Sequence, residues 1–124
     1  MSVKVLIVDD AMFMRAIIKD ILVNAGGFEV VGEAQDGEEA VRLFKQLNPD
    51  IVTMDIVMPN MDGIEATKRI VATNPGAKVV MCSALGQEPL IMEALAAGAK
   101  DFIVKPFSAE KVLKVISNIV EKTQ

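Results

Sequence analysis

The sequence predicts a doubly wound α/β fold: a five-stranded parallel sheet with five helices divided between its two faces. Two observations carry this. Short apolar runs rich in valine and isoleucine recur five times, continuous rather than alternating, which suits strands buried on both faces. Between and after them lie five segments whose apolar residues are spaced for one side of a helix, joined by short connections. Strands alternating with helices through right-handed crossovers build one sheet with helices on each face. A chain of 124 residues has room for one such domain over 1–124, and at 52% apolar composition it can fill a core.

The first strand is expected at 3–8, running straight into Asp9-Asp10. Met14, Ile17, Ile18, Ile21 and Leu22 then share a helix face, and Gly26-Gly27 is a natural helix stop. A strand at 28–31 follows. Asp36 can N-cap the second helix, with Glu39 three residues on as in a capping box. That helix buries Ala40, Val41, Phe44 and Leu47 and stops before Asn48-Pro49. The third strand, 51–54, is ended by Asp55. Asp62-Gly63 supplies loop and helix-start chemistry for a third helix carrying Ile64, Thr67, Ile70 and Val71 to Asn74-Pro75-Gly76.

A strand at 78–82 leads to Ser83, and the fourth helix spans 87–97 with Leu90, Ile91, Ala94 and Leu95 inward. Pro89 belongs in its first turn, where the missing N–H costs little, and Gly98 is its stop. The last strand, 102–104, leads to Lys105. Ser108 caps the fifth helix, whose Val112, Val115, Ile116, Ile119 and Val120 face the sheet. Met12, Met14, Met54, Met58, Met61, Met81 and Met92 are assigned to gap-filling in or near the core. Cys82 reads as a small buried hydrophobe.

Composition excludes several functions. Thirteen basic against seventeen acidic residues give a net charge of −4, a field that disfavours nucleic acid. There is no histidine, which removes Ser-His-Asp and Cys-His catalysis and His-ligated zinc. One cysteine cannot form an internal disulfide and suits a reducing cytosol. No apolar run approaches the roughly eighteen residues of a membrane span, and 3–8 is too interrupted for a signal peptide. The expectation is a soluble, acidic, cytoplasmic protein without membrane contact.

Ligands of such sheets bind beyond the carboxyl ends of the strands. There the sequence places Asp9-Asp10, Asp55, Ser83 and Lys105, so four of five strands deliver a polar or charged residue to one edge. Three carboxylates together repel, and at least one pKa should rise. A hard divalent cation relieves the repulsion, and oxygen ligands without histidine favour Mg2+ over zinc or copper. A carboxylate could then attack a phosphoryl group, with the cation and Lys105 neutralising developing charge and the Ser83 hydroxyl donating to a phosphoryl oxygen.

The set Leu6-Ile7-Val8-Asp9-Asp10, Asp55-Ile56-Val57-Met58-Pro59 with Asp62-Gly63, Ser83-Ala84 and Lys105-Pro106-Phe107 resembles the two-component receiver domains across the whole chain. Among these it is most similar to the stand-alone, CheY-like chemotaxis response regulators. The resemblance implies the strand order 2-1-3-4-5 of flavodoxin-like folds. It implies Asp55 as phosphoacceptor, Asp10 as a direct Mg2+ ligand, Asp9 acting mostly through water, and the Val57 carbonyl completing the protein's share. Helix N-capping is the competing role for Asp9.

By the same resemblance Lys105 pairs with the phosphoryl group through a cis Lys105-Pro106 peptide, and Ser83 reorients to bond it. Phe102 stands where some members carry tyrosine and is a candidate switch residue or plain core. Val57 and Leu85 are expected to flank the reactive centre and limit water entry. The phosphodonor is a histidine kinase. The output surface is the fourth helix, fifth strand and fifth helix, and the partner a motility switch or adaptor.

The fourth helix carries Glu88 and Glu93 and no basic residue, while Lys111, Lys114 and Lys122 fall on the fifth, so bacterial and archaeal targets both stay open. The chain is expected to be a monomer and a signalling protein rather than an enzyme. A phosphorelay shuttle is the alternative. A Mg2+-dependent aspartate phosphohydrolase is a further one, though it would want an acid where Val57 stands. The length leaves no room for a DNA-binding output domain.

Overall fold

Three continuous apolar runs become the inner strands β1 (Val3–Val8), β3 (Ile51–Asp55) and β4 (Val79–Ser83), with β2 (Phe28–Ala34) and β5 (Asp101–Val104) on the edges. The computed structural model describes residues 2–84 and 86–121; the expectations placed on Leu85 and Lys122 lie outside them. All neighbouring strands pair in parallel, in the order β2-β1-β3-β4-β5. Every residue of β3 and β4 is buried, as two covered faces require.

Alternation along each strand divides the core in two. Val5, Ile7, Ile51, Val80, Cys82 and Ile103 pack against Ile18 and Leu22 of α1 (Met12–Ala25) and Val112, Ile116 and Ile119 of α5 (Ala109–Glu121). Leu6, Val8, Val52, Met54, Val79 and Met81 pack against α2 (Gly37–Leu47), α3 (Gly63–Thr73) and α4 (Glu88–Ala97) through Phe44, Ala66, Ile70, Ile91 and Ala94. Burial of both sets of side chains removes apolar surface from water and holds the two helix layers to the sheet.

Local chemistry fixes the helix ends. Asp36 Oδ1 accepts the Glu39 N–H at 2.9 Å, Asp62 Oδ1 the Glu65 N–H at 2.8 Å, and Ser108 Oγ the Lys111 N–H at 3.2 Å. The reciprocal arm of the expected capping box is displaced by one residue: Glu39 Oε1 accepts from Gln35 N–H, not Asp36 N–H. Gly26, with φ of 79°, ends α1 and returns its N–H to the Leu22 carbonyl. Pro89 sits in the first turn of α4. No helix among the described residues is long and apolar enough to cross a membrane.

Several boundaries and faces differ from expectation. β2 continues through Gly32 and Glu33 to Ala34, because an edge strand tolerates residues an inner one would not. β3 and β4 each run one residue further, taking in Asp55 and Ser83; β4 begins at Val79, β5 at Asp101 and α4 at Glu88. Ile17 is exposed rather than core, because the inward face of α1 runs through Arg15, Ile18 and Leu22. Met54, Met58 and Met81 are buried, but Met12 at 73% exposure and Met92 at 67% fill no gap.

Thr53 lies level with its strand partners Ile7 and Val80 on the face covered by α1 and α5, and its Oγ1 is buried without a hydrogen-bond partner among the described residues. An unpaired buried hydroxyl is destabilising. Thr53→Val, which keeps the shape and removes the hydroxyl, is therefore expected to raise stability by about 1 kcal/mol. A urea midpoint at unchanged slope measures it; a lower midpoint would mean the hydroxyl is engaged.

Candidate functional site

Asp9 follows the last residue of β1, Asp55 is the last of β3, Ser83 the last of β4, and Lys105 follows β5. One parallel sheet thus brings all four to the same edge. The Lys105 ammonium spans the acids, donating to Asp9 Oδ2 at 3.2 Å and Asp55 Oδ1 at 3.3 Å. Asp55 Oδ1 also accepts the Ile56 N–H at 3.0 Å. Asp10 stands exposed at the rim, yet Asp9, Asp10 and Asp55 each offer an oxygen within 4.8 Å of the others. The Lys105-Pro106 peptide is cis.

Asp9 is buried, and its Oδ1 accepts the Ala11 N–H at 2.9 Å. It thereby shapes the turn before α1, but Ala11 is the N-cap, so the competing capping role for Asp9 does not hold. The repulsion expected among the acids falls on Asp55. Burial first, then the Asp9 and Asp10 charges, push its carboxyl up to about 6 against the pull of Lys105. Burial pulls Lys105 down, but the charges of Asp55 and Asp9 outweigh it and the ammonium is held above its ordinary value.

The donor set fits a hard cation. All three side chains offer oxygen, and the thiol of Cys82, beside Asp55 in the sheet, is pushed up to about 12 by burial. Val57 is 58% exposed with an apolar side chain, so only its backbone carbonyl could serve a cation. Ser83 is wholly buried; its carbonyl accepts the Lys105 N–H at 2.7 Å, while its Oγ has no hydrogen-bond partner among the described residues. Phe102 is 37% exposed on the edge strand β5, so its ring lies partly outward rather than in the core.

The loop from Asp55 to α3 is fastened at both ends. Gly63 N–H donates to the Ile56 carbonyl at 2.7 Å, and Gly37 N–H to the Met61 carbonyl at 2.9 Å. Asn60, at φ of 67°, donates its amide to Asp36 Oδ2 at 2.8 Å. Sequence reasoning missed Arg15, a buried cation bound to the Asp9 carbonyl. Its position three and seven residues before Ile18 and Leu22 on a helix was the available signal.

The family profile described as response regulator receiver domain matches residues 5–117. The chemotaxis protein CheY of Thermotoga maritima is 55% identical over 96% of this chain and 98% of its own. That of Bacillus subtilis is 56% identical over 94% and 97%. Among solved structures, the CheX-CheY-BeF3-Mg complex from Borrelia burgdorferi superposes with a TM-score of 0.89 at 44% identity, covering 94% of this chain and 88% of that one. The response regulator domain of Thermotoga maritima CheB gives 0.90 at 42%, covering 98% of each.

Proposed function

Because the chain belongs to the response regulator receiver domain family and is homologous to the CheY chemotaxis response regulators, we propose that it takes a phosphoryl group from a histidine kinase onto Asp55 and thereby changes its affinity for a motility partner. It does so as a single receiver unit in the cytoplasm, acting as a signalling protein rather than as an enzyme with a turned-over substrate. The observation that carries this reading is the Lys105 ammonium held between Asp9 and Asp55 at the mouth of a three-carboxylate cluster.

Asp9 and Asp10, with an Asp55 oxygen and the Val57 carbonyl, would hold Mg2+. Mg2+ bound there supplies positive charge that offsets the charge of the incoming phosphoryl oxygens. The chain's own residues do the rest. With its carboxyl titrating near 6, Asp55 is mainly ionised at neutral pH, and a carboxylate oxygen can attack phosphorus as the bond to the donor histidine nitrogen breaks. Lys105 then transfers its hydrogen bond from the carboxylates to a phosphoryl oxygen. The buried Ser83 hydroxyl, without a hydrogen-bond partner among the described residues, gains an acceptor in the same group, which supports its role as the element that moves.

β5 adjoins β4 and carries Phe102, so a shift of Ser83 is passed toward α4, β5 and α5, where the motility switch or adaptor would bind.

The test is incubation with acetyl phosphate and Mg2+, followed by intact mass. The wild type is expected to gain one phosphoryl group, and Asp55→Asn or wild type in excess EDTA to gain at least about 100-fold less. Equal gain by Asp55→Asn would remove Asp55 from the role.

A further inference from the structure

Arg15 has only 8% of its surface exposed, although it is a cation on a helix. A buried guanidinium is costly unless its donors are used, so its contacts define its task. Nη1 donates to the main-chain carbonyl of Asp9 at 2.6 Å, and Nε donates to Glu33 Oε1 on β2 at 3.0 Å. Lys19 adds a weaker hold on the same carboxylate at 3.9 Å. The Asp9 carbonyl lies one residue past the paired part of β1, in the peptide that joins Asp9 to Asp10. The plane of that peptide sets the directions in which both acids leave the chain.

We propose that Arg15 is a positioning residue for the cation site: braced on Glu33, it locks the Asp9–Asp10 peptide and so fixes both carboxylates relative to Asp55. The inference rests on the reading of the acid cluster as a Mg2+ site. Arginine suits the task because its rigid fork reaches two acceptors in fixed directions, one in the turn between β1 and α1 and one on β2. A lysine keeps the charge but presents it as one point on a flexible stem, without the planar fork that fixes the directions of the two bonds. Partners of this kind, one bond removed from the ligands, commonly change metal affinity by about 10–100-fold.

The chain has no tryptophan or tyrosine, so calorimetric titration with MgCl2 is the direct measurement. Arg15→Lys is expected to weaken Mg2+ binding about 10–100-fold. Glu33→Gln, which loosens the brace but leaves the Asp9 contact, is expected to weaken it about threefold. Urea midpoints with increasing MgCl2 give the second readout: the Mg2+ concentration needed for half the stabilisation should rise by the same factors. A purely structural Arg15 would lower the midpoint without Mg2+ and leave the dissociation constant alone.

Unchanged affinity in both variants overturns the proposal. If Arg15→Lys does not fold, unchanged affinity in Glu33→Gln overturns it alone. A wild type that binds no Mg2+ overturns the cation-site reading itself, which the variants by themselves do not.

Discussion

Gly63→Ala is expected to destabilise the fold by about 3 kcal/mol, among the largest effects of any single methyl group in this chain. Gly63 opens α3 with its N–H on the Ile56 carbonyl, and a Cβ there would overlap the Asp55 carbonyl oxygen and crowd the Met54 side chain. The obstacle is backbone of a wholly buried strand, which cannot swing aside as a side-chain tip can. The gain in helix propensity from glycine to alanine, about 1 kcal/mol, does not offset it.

The strain falls on the residue that carries the proposed phosphoacceptor. Displacing Asp55 by an ångström should slow acetyl phosphate labelling by about 100-fold even where the variant stays folded. Gly76→Ala is the control, since its Cβ would meet only Asn74 Oδ1 at an ordinary 3.8 Å; it should stay within about 0.5 kcal/mol. Urea midpoints for both variants check the contrast. A Gly63→Ala protein as stable as wild type would mean that the loop has slack.

Asp9, Asp10, Asp55 and Lys105 were legible as a group because strand ends are readable: an apolar run stops and a charge follows, and a parallel sheet puts such stops on one edge. Strand order was legible only through resemblance, since periodicity does not say which strand lies beside which. Arg15 was hidden for a different reason. Apolar spacing marks the inward face of α1 only by its apolar residues, so a charged residue on that face passes unseen, and geometry places Arg15 beside Ile18 and Leu22. Ile17, Met12 and Met92 were misplaced by the same rule applied in reverse, apolar character taken for burial. The Ser83 hydroxyl, by contrast, is buried without a partner among the described residues, a break in local hydrogen-bonding rules at a site where a ligand can supply the acceptor.

Lys105→Met should cost about 3 kcal/mol at pH 8 without Mg2+, with the loss shrinking as pH falls. Lys105 is the cation hydrogen-bonded to both Asp9 and Asp55, whose side chains are largely buried. Removing one partner of a buried ion pair leaves the remaining charge uncompensated, and here two acids are left facing each other. The Asp55 carboxyl already titrates near 6 rather than at its ordinary 3.8. A group raised in the folded state contributes stability that is complete below its unfolded value and lost as pH climbs through the folded one.

Wild-type protein without Mg2+ therefore gives up Asp55's contribution between about pH 4 and pH 6. Without Lys105 the carboxyl rises further, so the variant's deficit should be largest at pH 8 and should narrow once Asp55 is protonated, toward pH 5. Lys105 itself is held above its ordinary value, so its own contribution is intact at pH 8 and is lost only in the alkaline range above it. Because the same carboxylates can accept a divalent cation, millimolar MgCl2 should restore more stability to Lys105→Met than to wild type. Urea denaturation at pH 5 and pH 8, with and without MgCl2, separates these effects. A loss equal at both pH values and indifferent to Mg2+ would show that Lys105 contributes packing and not charge, and would leave the acids without the electrostatic partner their chemistry requires.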